Sequence, residues 1–276
     1  MSLTVNTNLS ALGAANSLNH TQGELSSTLA RVSSGLRVTK AADDAAGSAV
    51  AMNLKTSARS GRQAMRNSND GISVIQTAEA ATKEVLNILD RMRELSVQSA
   101  SDTLEDGERA YIDAEFDQLR NEVDRIASST EFNDVKLADG STTALTVQVG
   151  IDNATSSRVS ISLGDISVSG VGMTGTAIDL SKASSARSAI DTIDTAMDSV
   201  NKIRSDYGAV QNRLDSSIRN MSTYVESLTA AASQIMDADY AHETAEMTRL
   251  QVMQQAGVAA LSQAKGINQS VISLLG

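Results

Sequence analysis

Cysteine, proline and tryptophan are all absent from this 276-residue chain, and aromatic side chains number six, four Tyr and two Phe. Without cysteine there is no disulfide framework, no thiolate nucleophile and no cysteine-ligated zinc. Without proline nothing of the commonest kind interrupts a long helix. So few aromatics leave a core built from Ala, Leu, Ile, Val and Met, which suits a helix bundle better than the lined pocket of a small-molecule enzyme. The formal charge of −10 argues against a nucleic-acid partner. No continuous apolar run reaches membrane-spanning length, so no membrane insertion is expected. Met1–Leu9 has neither a basic n-region nor an apolar h-region, and no cleavable signal peptide is visible. Taken alone that places the chain in the cytoplasm, unless an export route reads another kind of signal. Apolar residues at 41% and charged residues at 20% fit a folded chain, not a disordered one.

What is present is a set of ladders in alternating steps of three and four. The first runs Ala11, Ala15, Leu18, Gln22, Leu25, Leu29, Val32, Leu36. Shorter ones follow at Ile75–Met92 and Ile112–Ile126. The longest runs from Ala186 through Ile193, Val200, Tyr207, Leu214 and Val225 to Ile235, which at 1.5 Å per residue predicts a helix of roughly 75 Å. The last is Leu250, Met253, Gly257, Ala260, Ala264, Ile267, Val271, Leu274. Such seams require partner helices, within the chain or from neighbouring chains.

Between the helical halves the period drops to two, at Leu145, Val147, Val149, then Val159, Ile161, Leu163, then Ile166, Val168. The expected fold is mostly α: a long antiparallel helical bundle or coiled coil with a small antiparallel β element within about 138–182. A chain that goes out, turns over in the β region and returns brings its termini side by side. The expected division is a terminal helical coiled-coil domain from 1–44 and 237–276, and a helical rod domain from 45–236.

Charge is distributed unevenly. Glu24 is the one charged side chain among residues 1–30, and Lys265 the one among 250–276. Ladders without a charged outer face point to helices surrounded by protein.

No catalytic, cofactor or metal constellation emerges, and no enzyme is expected. His242-Glu-Thr-Ala-Glu246 has Glu where a zincin helix needs its second His. No phosphate-binding glycine motif is present. Asp43-Asp44 reads as a bend or helix start, with a carboxylate near the positive end of the dipole.

Specific segments resemble the bacterial flagellins. They are Val5–Asn8, Arg31–Arg37 (RVSSGLR), Ala42–Gly47 (ADDAAG), Asn69–Ser73, Gln76–Glu79, Arg91–Val97 (RMRELSV), Gly208–Arg213, Asp237–Tyr240, Gln254–Gly257 and Ser273–Leu275, in the family's order across nearly the whole chain. Only about forty-five residues, 138–182, separate the two halves, so the resemblance is to a minimal flagellin without large outer domains.

The resemblance implies a structural subunit that polymerises with itself into the extracellular helical filament of the flagellum. It implies secretion through the flagellar export apparatus with an export chaperone, and contacts with the filament cap and hook-associated junction proteins. The implied polymerisation seam is Leu18, Leu25, Leu29, Val32, Leu36, Leu250, Met253, Ala260, Ala264, Ile267, Val271 and Leu274. Monomer sensing by a host Toll-like receptor would use Arg91, Leu95 and Glu115, with Leu95 expected to be exposed beside Arg91. The alternatives are a hook–filament junction protein and, from another class, a chemoreceptor-like signalling coiled coil.

Overall fold

The computed structural model describes residues 7–173 and 178–275, with side chains of the last helix described as far as Gly266. In chain order the elements are α1 (Leu9–Ser34), α2 (Ala45–Ser99), α3 (Asp106–Ser129), β1 (Glu131–Phe132), β2 (Val135–Lys136), β3 (Ala144–Gln148), β4 (Arg158–Ser162), α4 (Ala183–Met236) and α5 (Tyr240–Leu275). They form two compact units, residues 1–57 with 226–276, and residues 58–225.

In the unit containing the termini, α1 and α5 pair antiparallel. Asn8 serves both helices: its Oδ1 accepts from Ala11 N at 2.9 Å, while its Nδ2 donates to Ala264 O at 2.8 Å. Gly35 ends α1 at φ +69°, a left-handed conformation that costs a side-chain-bearing residue more than glycine. The chain then crosses to the end of α4, where Arg37 N donates to Met236 O and Ala238 N to Gly35 O. Asp43 closes the following turn by accepting from Thr39 N and Lys40 N, and those bonds hold its carboxyl below the usual range. Asp44 Oδ1 accepts from Gly47 N at 2.8 Å in the first turn of α2, as the bend reading expected.

The other unit is a three-helix core with a hairpin. On α2 two heptad tracks are buried throughout: Gly61, Ser68, Ile75, Thr82, Leu89, Ser96, and Ala64, Gly71, Ala78, Val85, Met92, Ser99. Of the large members, Val85, Leu89 and Met92 meet Ile112, Phe116 and Val123 of α3 and Ala186, Ile193 and Val200 of α4. The small members admit closer neighbours: a Cβ on Gly71 would lie 3.0 Å from the Val147 side chain and 3.3 Å from that of Leu214. Within the seam Ser68 Oγ donates to Ala64 O and Ser96 Oγ to Met92 O, one turn back, whereas Ser99 Oγ donates to Leu180 O at 2.6 Å.

β3 and β4 pair antiparallel with Leu145 opposite Ile161 and Val147 opposite Val159. Their inner face packs with Ile75, Tyr207 and Leu214 in a second cluster. Gly164 N donates to Tyr207 Oη at 3.3 Å, and burial pushes that phenol up. A side chain at Gly164 would collide with Ile203.

Two features differ from the sequence expectation. The Ile166–Val168 alternation is not a strand, because its N–H groups are taken singly, Ile166 N by Ala138 O, Ser167 N by Asp165 and Val168 N by a carboxylate of α3. Asp124 Oδ1 accepts from Val168 N, and Asp113 Oδ1 from Leu180 N, each at 2.8 Å. The second difference is the short β1–β2 hairpin, which lies ahead of the expected element. Its turn residues Asn133 and Asp134 adopt φ of 49° and 63°, which Asn and Asp tolerate.

Removing the Asp113 carboxylate orphans the Leu180 N–H beside a buried side chain. Asp113→Ala is expected to cost about 1–3 kcal/mol in chemical denaturation. Hydrogen exchange at Leu180 should quicken more than that at Val168.

Candidate functional site

Two surfaces hold the residues singled out in the sequence. The first is the α1–α5 pair. Leu250 is 1% exposed, while Leu18, Leu25, Val32, Leu36 and Ala264 are half-buried. Leu18 packs toward Gly257, where an added Cβ would lie 3.3 Å from Leu18 Cδ1. Arg31 Nε stands 3.1 Å from the buried Glu243 carboxylate, the charged contact of the pair.

Leu29, Met253 and Ala260 are exposed and lie off the face that α1 and α5 share. On α5 the covered positions are Leu250, Gln254, Gly257, Leu261 and Ala264. That series keeps the four-three spacing but passes through a glutamine, so counting apolar residues selects the neighbouring Met253 instead. Leu9, Leu12, Val252 and Val258 are also exposed and were not singled out, although each is apolar and stands in a charge-poor helix. The side chains of Ile267, Val271 and Leu274 lie outside the described residues.

The second surface is a ridge on α2 and α3. Arg91 Nη2 and Nε donate to Glu115 Oε1 at 2.9 and 3.2 Å, and Nη1 donates to Glu94 Oε2 at 3.0 Å. Hydrogen bonding to Glu115, then to Glu94, holds the Arg91 guanidinium more firmly protonated than usual. Arg93 makes a parallel contact to Asp194 of α4 at 2.6 Å, which lowers that carboxyl. The structure therefore brings Arg91 and Glu115 together.

Leu95 is corrected from exposed to buried. It is 1% exposed and belongs to the core with Met92, Ile112 and Phe116. Four residues advance a helix by about 400°, so Leu95 is rotated some 40° from Arg91 and falls on the side of Met92. The exposed apolar side chain on this stretch is Val97.

Residues 5–143 match the family model described as the bacterial flagellin N-terminal helical region, and residues 190–275 match that for the C-terminal helical region. The chain belongs to the bacterial flagellins. A flagellin of Halalkalibacterium halodurans is 40% identical over 98% of this chain and 99% of its own length. The flagellin FlaB2 of Treponema pallidum is 36% identical over 98% of this chain and 99% of its own. Among solved structures, Bacillus cereus flagellin superposes at a TM-score of 0.50 with 30% identity, covering 56% of this chain and 88% of that one. A structure provisionally named a flagellar hook-associated protein, from Vibrio parahaemolyticus, gives a TM-score of 0.61 at 16% identity, which speaks for the fold alone. The filament-flagellin relatives span the chain nearly end to end, so the hook-associated reading is the weaker one. This is a minimal flagellin, without a large domain between its two halves.

Substitutions on the ridge should separate surface from core. Arg91 and Glu115 are solvent-facing, so Glu115→Gln is expected to cost under about 1 kcal/mol, less still at high salt. Leu95→Ala should cost about 2–5 kcal/mol by opening a cavity. Asp194 is titrated below its ordinary range in the folded state, so its contribution is present above the unfolded value. It is lost as pH falls through the lower folded one. Denaturation of wild type and Asp194→Asn should therefore differ at neutral pH and converge in strong acid.

Proposed function

We propose that this flagellin polymerises through its α1–α5 pair into the extracellular helical filament of the flagellum. One observation carries the assignment of that pair as the assembly element. Among the described residues of α1 and α5 only Thr21, Thr28, Glu243 and Leu250 are buried. Two long helices that enclose one fully buried apolar side chain gain about 1.5–3 kcal/mol from it, far below the chain entropy of ordering them. The rest of the burial has to come from other copies.

Several features of the pair suit that role. Leu9, Leu12, Leu29, Val252, Met253 and Val258 face outward, a larger apolar display than a monomer keeps without a partner. A groove of about 580 Å³ opens between the helices, lined by Leu9, Leu12, Ala15, Leu261 and Lys265 among others, with room for apolar side chains of a neighbour. The scarcity of charge means that few ionised groups need be desolvated on assembly. In this reading segments 1–44 and 237–276 form the filament's inner tube, and the remaining seam residues, Ile267, Val271 and Leu274 included, belong to it.

Family membership supports the finer parts of the reading. The chain acts as a structural protein and not an enzyme. It reaches the outside through the flagellar export apparatus with a chaperone, and meets the cap and hook-associated proteins at the ends of the polymer. Monomer sensed by a host Toll-like receptor would present Arg91 and Glu115, with Leu95 supporting them from the core.

Leu12→Asp and Val252→Asp alter side chains that the monomer leaves exposed, so each should fold as wild type. Each is expected to abolish sedimentable filaments under conditions where wild type assembles, as should removal of residues 250–276. Long filaments from any two of these proteins would overturn the assignment of the pair. Separately, Arg91→Ala monomer should stimulate receptor-bearing cells at least about tenfold less than wild type while keeping its denaturation midpoint.

A further inference from the structure

Where the β3–β4 turn meets α4, a hollow of about 240 Å³ opens in the unit formed by residues 58–225. Its apolar lining is Val149 and Val159, both buried. The rest is polar: Ser156 and Arg158 from the hairpin, and Arg213, Ser216, Ser217 and Asn220 from one face of α4. The spacing of the α4 residues, three, one and three, turns all four toward the same side.

The two arginines of this hollow differ from those of the chain that sit in ion pairs. Elsewhere Arg31, Arg91, Arg93, Arg125, Arg187 and Arg249 each stand against a carboxylate, as an excess of acids makes easy. Here no carboxylate lines the space, although Asp152 and Asp215 are close in sequence. Arg158 donates from Nε to Gln148 Oε1 at 3.3 Å, and from Nη2 to Asn153 Oδ1. Both acceptors are neutral, so they fix the guanidinium at the edge of the hollow without cancelling its charge. Arg213 has no ion pair among the described residues, and no hydrogen bond within them occupies the side chains of Ser216, Ser217 or Asn220. Two uncompensated guanidinium groups, three hydroxyls and an amide thus converge on one space.

We propose that this hollow is a binding site for a small oxyanion, a tetrahedral ion such as sulfate or the carboxylate of an acidic side chain on a second copy. Guanidinium matches either group through paired N–H donors and gives up its hydration more readily than an ammonium. The hydroxyls supply donors for the remaining oxygens, and the Val149 and Val159 side keeps the pairing partly out of water. The site does not depend on the α1–α5 assembly reading, since it lies in the other unit and is measured on monomer.

The test is a titration of full-length monomer with sodium sulfate at constant ionic strength, followed by backbone amide shifts at Gly150, Ser157 and Ser217. Saturable shifts confined to those residues are expected. Arg213→Gln and Arg158→Gln should each weaken binding about tenfold, the loss of one charge-assisted pairing. Arg219→Gln, outside the hollow, should leave it unchanged. The source is read from a second arm, the protein concentration needed for assembly. If the ligand is a free ion, Arg213→Gln assembles at the wild-type concentration. If it is a neighbour's carboxylate, Arg213→Gln needs about tenfold more protein, and assembly expels bound sulfate. Shifts that never saturate or survive both substitutions, together with unchanged assembly, would overturn the site.

Discussion

The buried stripe of α4 is the constraint against which most of the packing is arranged. Ala186, Ile193, Val200, Tyr207 and Leu214 recur every seven residues and are all buried. Half-buried Ile190, Met197, Ile203 and Val210 fill the intervening steps. Beyond Leu214 the buried positions move to Val225 and Ala232, four residues out of phase with the first track. Inserting four residues into a heptad repeat rotates the covered face slightly, the ordinary behaviour of a stutter. The change of phase comes where the partner changes. Up to Leu214 the stripe meets large side chains of α2, α3 and the hairpin, whereas Val225 and Met221 meet Gly61 of α2.

That arrangement explains the graded composition of α2. Where α3 adds its own apolar face, the seam of α2 is large: Val85, Leu89, Met92, Leu95. Where the hairpin or α4 approaches directly, the seam is Gly61, Ala64, Ser68 and Gly71. Small residues lower the hydrophobic gain per turn but let backbones come closer, and Ser68 returns its hydroxyl to the preceding turn. The absence of proline follows from the same need, because one break in α2 or α4 would put every later seam residue on the wrong face.

Much of this was legible in the sequence, because long apolar periodicities are dominated by burial. The α4 ladder from Ala186 to Ile235 is buried or half-buried at every position that periodicity selected. The alternation at 145–149 and 159–163 marked the hairpin with its inward face correct. What periodicity could not give was any feature decided by polar groups. Ile166–Val168 alternates like a strand, yet its N–H groups go singly to Ala138 O, to Asp165 and to Asp124, a carboxylate 44 residues away on α3. The covered face of α5 runs through Gln254, which no apolar count would choose. The hollow between Arg158 and Arg213 joins residues far apart in the chain, and only the fold brings them together.

The position of Leu95 shows how closely the surface of such a protein is tied to its core. Arg91, Glu94 and Glu115 form an exposed charged cluster, and a solvent-facing guanidinium is worth little by itself. What gives the cluster a defined geometry is the adjoining face of the same helix, where Met92 and Leu95 lock α2 against Phe116 and its neighbours on α3. The distance between the carboxylate of Glu115 and the guanidinium of Arg91 is thus set by apolar packing and only trimmed by the ion pair. A substitution at Leu95 that shifts α3 therefore changes the ridge without touching any exposed atom. Loss of recognition on mutating a buried residue reports on support, and direct contact has to be argued from side chains such as Arg91 that solvent can reach.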